Sequence, residues 1–215
     1  MIRILIADDH PLIREGLKKT LQAERGMEVV CEASNGQEVL DLVNKHDLDI
    51  IIMDLSMPGI GGLDVIKELK RQKYKVPILI LSMHPEERFA IRVLKAGGAG
   101  YLSKENAPDN LVDAIHKIVS GRKYITPTLA ERLAFELEER TEKLPHEELS
   151  DREFQVLCML ASGVSIKEIS DKLFLSINTV NTYKVRIYEK LKIQSVVDLT
   201  HYALKYHLID SNEDR

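Results

Sequence analysis

The most informative stretch of the sequence is an apolar run that leads directly into one carboxylate. The run Ile50–Met53 precedes Asp54, and a Met-Pro-Gly turn begins at Met57. A short apolar run closed by Pro and Gly predicts a strand buried on both faces of a parallel sheet. Asp54 would then lie at the carboxyl end of that strand, the edge at which open α/β sheets bind ligands. A solvated loop aspartate would look the same in isolation, so the assignment depends on partners for Asp54.

Polar side chains also follow the other predicted strands of the first half, at the point where each strand ends. They are Asp8 and Asp9 after Ile4–Ala7, Ser82 after Pro77–Leu81, and Lys104 just beyond Tyr101–Leu102. The carboxyl ends of parallel strands share one edge of the sheet. We therefore expect these groups and Asp54 to converge there.

Such a cluster would have a definite chemistry. Asp9 and Asp54, with a backbone carbonyl just past Asp54, suit Mg²⁺, which prefers oxygen ligands and keeps several waters. A carboxylate can attack a phosphoryl group to form an aspartyl-phosphate, while Mg²⁺ and the Lys104 ammonium neutralise the charge of the transferring group. Ser82 could donate a hydrogen bond to the resulting phosphate. The alternative is an ordinary surface ion pair of Asp8 or Asp9 with Lys104.

Five strand-helix units in the first 121 residues predict an α/β fold, a five-stranded, doubly wound, flavodoxin-like parallel sheet with right-handed crossovers. The second strand is predicted at Val29–Cys31. The helices are predicted at about 11–23, at 37–45, around Leu63–Leu69, around Phe89–Leu94, and from Pro108 to just before Gly121.

The composition is that of an ordinary soluble protein. Of 215 residues, 44% are apolar and 30% charged, and the net charge of −4 argues against a chain that is basic throughout. No apolar run approaches the roughly 18 residues of a membrane span, and the N-terminus lacks a signal-peptide pattern, so we expect a cytoplasmic protein. Cys31 and Cys158 lack metal-ligand spacing, and the strand pattern around Cys31 predicts a buried reduced thiol.

Residues 122–148 change in character and are predicted to be a linker. A helix can begin at Thr126-Pro127 and continue through Leu129–Glu139. The following charged stretch contains Pro145 and indicates a tether that is mobile in its second half. Residues 210–215 are predicted to be a tail.

Four helix starts follow between residues 149 and 209. Ser150, Ser165 and Ser195 each precede Glu or Asp by three residues, as in a capping box, and Ser176 can cap a helix alone. The predicted helices span about 151–162, 166–173, 177–191 and 196–206. A compact all-α bundle of this kind is typical of a helix-turn-helix DNA-binding domain. The segment holds eight Lys or Arg against six Asp or Glu, so it is slightly basic on an acidic chain.

The third of these helices can be divided into two faces at about 100° per residue. The predicted core face is Ile177, Val180, Tyr183, Ile187 and Leu191. The predicted DNA-binding residues are Ser176, Asn178, Thr179, Asn181, Thr182, Val185 and Arg186, with Lys167, Lys184, Lys190 and Lys192 as phosphate contacts. Short polar side chains can reach base edges in a major groove. A plain amphipathic helix with a solvated face is the alternative.

The polar cluster of the first half resembles the receiver domain of two-component response regulators over about residues 1–121. The motif consists of Asp8-Asp9, the Asp54–Gly59 turn, Ser82 and Lys104. The resemblance implies that a sensor histidine kinase phosphorylates Asp54 and that Lys104 contacts the phosphate. It implies that Mg²⁺ is held by Asp8, Asp9, Asp54 and the backbone carbonyl of Ser56. Ser82 stands where the family has its switch residue, and Tyr101 stands where it has a coupled aromatic. A half-buried strand aromatic would look the same at Tyr101.

The last third resembles the LuxR-type helix-turn-helix. The resemblance is carried by Leu149–Glu153, Gly163–Ile169 and Asn178–Val180. With the receiver, about residues 1–207 resemble a NarL/FixJ-family response regulator. Where many members have Lys and then Thr-His, this chain has Asn181–Lys184, like a subgroup that includes the BvgA, EvgA and GacA regulators. The family also implies that the last helix, with Val196, Val197 and Leu199, pairs in a DNA-bound dimer; bundle core is the alternative for those residues.

The sequence therefore predicts a transcription factor that dimerises and binds DNA after phosphorylation of Asp54. We expect no enzymatic activity beyond the receiver's own phosphotransfer and dephosphorylation. A phosphatase would need a second carboxylate two residues past the nucleophile, where Ser56 stands. A DNA binder with a degenerate receiver is the second alternative, and the intact set of Asp8, Asp9, Asp54 and Lys104 argues against it.

Overall fold

The computed structural model describes residues 1–139, 144–206 and 208–209. The chain divides into two compact units, Met1–Leu133 and Ala134–Arg215. Residues 140–143 of the predicted linker and the predicted tail at 210–215 lie outside the described residues. Within the described part of the chain, no helix is long and apolar enough to cross a membrane.

The first unit contains the predicted parallel sheet. Its strands are β1 (Ile2–Ala7), β2 (Met27–Ala33), β3 (Ile50–Met53), β4 (Ile78–Ser82) and β5 (Gly100–Ser103). Their order is β2-β1-β3-β4-β5, and every pair is parallel. The doubly wound fold class is therefore confirmed.

Five helices alternate with the strands and cover both faces of the sheet. They are α1 (Pro11–Ala23), α2 (Gly36–Leu42), α3 (Gly62–Arg71), α4 (Glu86–Ala96) and α5 (Ala107–Val119). Apolar residues of α1 and α5 join one core cluster with Ile50 and Ile52 of β3. Because alternate residues of a strand point to opposite faces of the sheet, Ile51 and Met53 pack on the face opposite to this cluster. All four residues of β3 are at most 1% exposed, as predicted for a central strand.

Several bounds in the first unit differ from the prediction by a few residues, and two differences have a clear physical reason. β2 is longer than Val29–Cys31 because its backbone pairs with the whole of β1, from Met27 opposite Ile2 onward. Cys31 is only half-buried, so the prediction of a buried thiol is wrong for this residue, whereas Cys158 is buried. The exposure follows from the position of β2 at the edge of the sheet.

The predicted linker begins as part of the first unit. The backbone N–H of Tyr124 donates to the carbonyl of Ala99. The hydroxyl of Thr126 donates to the carboxylate of Glu86, 2.9 Å away, at the start of α4. Helix α6 (Pro127–Glu139) follows, and its Leu129 is 1% exposed. These contacts attach the first turn of α6 to the neighbourhood of α4.

The second unit is a helical bundle with the predicted starts. Its helices are α7 (Asp151–Ala161), α8 (Ile166–Leu173), α9 (Ile177–Leu191) and α10 (Val196–Lys205). Capping boxes are present at Ser150, Ser165 and Ser195, and the Ser176 side chain accepts the backbone N–H of Thr179. Each cap satisfies an N–H that would otherwise lack a partner.

A short 3-10 helix, Pro145–Glu148, precedes α7 in a stretch predicted to be a mobile tether. His146 in this turn is 7% exposed, and its Nδ1 lies 3.0 Å from the hydroxyl of Tyr202 on α10. The ring also lies beside Phe154 and Tyr206. This segment is therefore packed into the bundle, and the prediction of a mobile tether is wrong for it.

Candidate functional site

The carboxyl ends of β1, β3 and β5 bring two aspartates and a lysine into direct contact. The ammonium of Lys104 lies 2.6 Å from Asp8 Oδ2 and 2.8 Å from Asp54 Oδ2. Side-chain exposure is 8% for Lys104, 2% for Asp8 and 6% for Asp54. This burial is too complete for an ordinary surface ion pair, the alternative that the sequence left open.

The strand ladders fix these groups. The backbone N–H of Asp54 donates to the carbonyl of Ala7 at 2.8 Å, which extends the β1–β3 pairing to the start of the site. The N–H of Lys104 donates to the carbonyl of Ser82 at 2.8 Å, which does the same for β4 and β5. Each reactive side chain is thus placed one residue beyond a buried strand.

Burial and charge oppose each other at this edge. Burial raises the pKa of the Asp54 carboxyl, and the Lys104 ammonium works against that rise. For Lys104, burial lowers the pKa, but the carboxylates of Asp54 and Asp8 raise it by more, so the net shift is upward. The ammonium therefore stays charged and compensates part of the negative charge.

The same edge offers ligands for a divalent cation. One side-chain ligand atom from each of Asp8, Asp9, His10 and Asp54 lies within 4.8 Å of the others. Asp9 Oδ1 is buried and has no hydrogen-bond donor at acceptable geometry. An oxygen-rich cluster with such an atom fits Mg²⁺, which accepts carboxylate oxygens and retains waters. The backbone carbonyl of Ser56, two residues past Asp54, remains a predicted ligand.

Ser82 and Tyr101 lie on adjacent strands close to this cluster. Ser82 is 1% exposed at the end of β4, and its hydroxyl accepts the backbone N–H of His84 at 3.2 Å. Tyr101 is fully buried in β5, and its hydroxyl donates to the carbonyl of His84 at 2.7 Å. Burial raises the pKa of the Tyr101 hydroxyl above its usual range. Both predicted switch residues therefore contact the same residue of the β4–α4 loop.

Three residues near the site escaped the sequence prediction. His10 follows the Asp8-Asp9 pair directly, and His84 follows Ser82 by two positions, with Nε2 3.3 Å from Ser56 Oγ. Their closeness in sequence to Asp9 and Ser82 is the feature from which both histidines could have been predicted. The third residue is Gly62, which opens α3. A Cβ there would lie 2.6 Å from the carbonyl oxygen of Asp54 and 3.1 Å from the Cα of Leu55. No sequence pattern marks that approach.

Most predicted DNA-binding residues lie on the accessible surface of the bundle. Thr179 and Lys184 are half-buried, and the exposed members are Lys167, Ser176, Asn178, Asn181, Thr182, Val185, Arg186, Lys190 and Lys192. The hydroxyl of Thr179 lies 2.8 Å from that of Ser176, so both belong to the helix cap. The ammonium of Lys184 lies 5.5 Å from the centre of the Tyr188 ring.

One prediction for α9 is wrong, and a second residue has a competing contact. Ile177 was placed on the core face but is 50% exposed, because it occupies the first turn, ahead of the part of α9 that packs in the bundle at Val180 and Ile187. Lys190 was predicted to bind phosphate, but its ammonium lies 2.7 Å from the carboxylate of Glu153, whose side chain is 4% exposed. A phosphate would have to compete with this internal ion pair.

Helix α10 separates its apolar residues into two groups. Leu199 is fully buried, as the bundle-core alternative required. Val196 and Val197 are 40% and 62% exposed, so core packing does not account for them.

Comparison with known protein families matches both units. The receiver domain of response regulators matches residues 4–116, and the bacterial regulatory proteins of the luxR family match residues 147–203. Among characterised relatives, the response regulator UvrY of Escherichia coli (strain K12) is 39% identical over 98% of this chain and 97% of its own length. The response regulator GacA of Pseudomonas aeruginosa is 37% identical over 98% and 99%.

Solved structures agree with these matches. RcsB from Salmonella enterica serovar Typhimurium, bound to promoter rprA in the presence of the phosphomimetic BeF₃⁻, gives a TM-score of 0.63 at 29% identity, covering 94% of this chain and 98% of that one. An RcsB–DNA complex gives 0.58 at 30%, covering 94% and 96%. The chain therefore belongs to the NarL/FixJ family of two-component response regulators, in which a receiver domain is joined to a LuxR-type DNA-binding domain that regulates transcription.

Proposed function

We propose that Asp54 is phosphorylated by a sensor histidine kinase and that the phosphorylated protein dimerises on DNA. The observation that carries the proposal is the buried contact of Lys104 with both Asp8 and Asp54. An uncompensated carboxylate pair at this depth would be unstable, so the lysine and a cation have a clear electrostatic role. The domain boundaries at 121/122 and 148/149 remain part of this proposal.

The chemistry follows from the groups present. An Asp54 carboxylate oxygen forms a bond to phosphorus, and the bond from phosphorus to the nitrogen of the donor histidine breaks, leaving that imidazole with its electron pair. The Lys104 ammonium compensates the charge on the transferring oxygens. Mg²⁺, held by Asp8, Asp9, Asp54 and the Ser56 carbonyl, would supply further positive charge at the same oxygens.

Phosphorylation of Asp54 would change the hydrogen bonding of Ser82. A phosphate on Asp54 carries about two negative charges where the carboxylate carried one, and the buried Ser82 hydroxyl can donate to it. Ser82 now accepts the N–H of His84, and Tyr101 donates to the carbonyl of that residue. A change at Ser82 would therefore alter the loop that holds Tyr101, which supports the proposed switch roles.

Base reading is proposed for the exposed face of α9 and dimer contact for α10. The hydroxyl of Thr182 donates to the carbonyl of Asn178 at 2.9 Å, which leaves its lone pairs free to accept from a base. Asn181 beside it offers both a donor and an acceptor. Val196 and Val197 present apolar surface on α10 that a second copy would cover.

The proposed phosphoacceptor is tested with a small phosphodonor that replaces the kinase. Wild-type protein incubated with labelled phosphoramidate and Mg²⁺ should take up one phosphate, and Asp54→Asn should take up none. Asp64→Asn, which changes an exposed aspartate on the next helix, is the matched control and should be labelled like wild type. Substantial labelling of Asp54→Asn would overturn the assignment.

A further inference from the structure

We propose that His10 is a ligand of the metal site. With this nitrogen ligand, the site would bind transition metals such as Mn²⁺ and Co²⁺ more tightly, relative to Mg²⁺, than a site made of carboxylates alone. The inference rests on the proposed function, since it concerns the same cation, and it adds a nitrogen ligand to that set.

The geometry of His10 fits a shared ion. Its Nδ1 lies 2.9 Å from Asp9 Oδ1 and 3.3 Å from Asp8 Oδ1. Neighbouring ligands of an octahedral ion, each about 2.1 Å from the metal, lie about 3 Å apart. The distances from the imidazole nitrogen to the two carboxylate oxygens are therefore close to those between neighbouring ligands of one ion.

The unpaired oxygen of Asp9 is the second observation. The Asp9 side chain is 8% exposed, and its Oδ1 lacks a well-directed donor although Nδ1 of His10 lies 2.9 Å away. The distance is that of a contact, but the direction is poor for a hydrogen bond. A cation needs no such direction, so an ion bound by both atoms, off the line that joins them, would satisfy both.

Lys104 does not occupy the carboxylate oxygens that His10 approaches. Lys104 approaches Asp8 and Asp54 through their Oδ2 atoms. His10 approaches Asp8 and Asp9 through Oδ1; Asp8 Oδ1 also accepts the backbone N–H of His10 at 2.8 Å, whereas Asp9 Oδ1 accepts no hydrogen bond. The His10 side chain is 65% exposed and makes no helix-capping hydrogen bond, although it occupies the position before α1. The ring can therefore adjust its torsion angles, with its proton on Nε2 and the lone pair of Nδ1 directed at the metal.

The expected consequence is a change in metal selectivity. Mg²⁺ gains little from imidazole, whereas affinity for nitrogen-containing sites rises from Mn²⁺ towards Co²⁺ and Ni²⁺. A site with His10 should therefore bind Mn²⁺ and Co²⁺ more tightly, relative to Mg²⁺, than the same site without it.

The test compares full-length wild type, His10→Ala and His116→Ala, the last being an exposed histidine on α5. Calorimetric titration should show that His10→Ala weakens Co²⁺ and Mn²⁺ binding by about tenfold or more and leaves Mg²⁺ binding nearly unchanged. Pulsed EPR of the Mn²⁺-loaded protein should show ¹⁴N coupling from a bound imidazole in wild type and His116→Ala, and lose it in His10→Ala.

The outcomes separate the two proposals. If the protein binds Mg²⁺ and Mn²⁺ but shows no nitrogen coupling, or if His10→Ala leaves the ratio of the affinities unchanged, His10 is only a hydrogen-bonding neighbour and the inference is wrong. If neither ion binds wild type at millimolar concentration, the metal site of the proposed function itself fails.

Discussion

Among single residues, Glu153 shows how a partner distant in the sequence can determine a role. Its carboxylate accepts the N–H of Ser150 as part of a capping box and also pairs with Lys190 on α9. The sequence pattern identified the first contact, because the spacing of the capping box is local. It missed the second, because the two residues are 37 positions apart and meet only in the folded bundle.

We expect this pair to give the bundle a pH-dependent stability. Burial raises the pKa of Glu153, but Lys190 and Ser150 lower it by more, so the net shift is downward. A carboxyl whose pKa is lower in the folded state stabilises that state above its unfolded pKa of about 4.3, and the contribution disappears as the pH falls through the folded pKa.

Glu153→Gln should therefore lower the free energy of unfolding of the bundle by about 1–3 kcal/mol at pH 7. The difference from wild type should shrink steadily below about pH 4. Chemical denaturation followed by circular dichroism measures both, and Glu189→Gln, at an exposed site on α9, is the control. A pH-independent difference would mean that packing, not charge, is responsible.

For the helices, the two ends of α9 differ in what they can do. Its first two turns carry Asn181 and Thr182 on an exposed face, and its last turn carries Lys190 in an internal ion pair. We therefore propose that the first part of α9 makes the base contacts and that Lys167 and Lys192 make the general phosphate contacts.

Substitution of Asn181 or Thr182 by Ala should cost about 1–3 kcal/mol on the specific site and relax base preference there. Lys192→Ala should weaken binding to all sequences alike and reduce the salt slope by about one unit, because a phosphate contact carries no sequence information. Binding is measured by fluorescence anisotropy on a selected operator and a scrambled duplex. If both α9 variants kept the operator preference, base reading would move to Val185 and Arg186.

The elements themselves were largely predictable from the sequence. β3 is buried on both faces, so its apolar run is unambiguous, and each serine cap marks a helix start within one turn. Ile177 was misassigned because helical periodicity gives the face of a residue but not whether a neighbour reaches that turn. The burial of Cys31 was mispredicted for a related reason: the strand pattern does not show that β2 lies at the edge of the sheet.

In the whole molecule, the proposed activation is a change from monomer to dimer. Val196 and Val197 are 40% and 62% exposed in the bundle, and the proposed dimer would cover them. A population shift towards a dimer needs a ligand that binds one state more tightly. Phosphate at Asp54 is the proposed ligand.

Sedimentation velocity at micromolar protein should show a larger mass with beryllofluoride and Mg²⁺ on operator DNA than without the mimic. Val197→Asp should weaken the two-copy complex on DNA, because it places a charge in the proposed apolar contact surface, while Asp171→Asn at an exposed position of α8 should not. If one copy of the protein bound DNA both with and without the mimic, and the mimic still raised the affinity for DNA, phosphorylation would release an inhibited DNA-binding domain and would not cause dimerisation.

The close approach of Gly62 to the backbone of Asp54 has a consequence for how this protein tolerates variation. Any side chain at position 62 would press on the peptide that carries the phosphoacceptor, since the space for a methyl group is taken by the Asp54 carbonyl. A saturation screen for loss of signalling should therefore return Gly62 nearly as often as Asp54, although glycine offers no reactive group. The tolerance of the site to mutation would then depend also on α3, at a residue whose side chain is a single hydrogen atom.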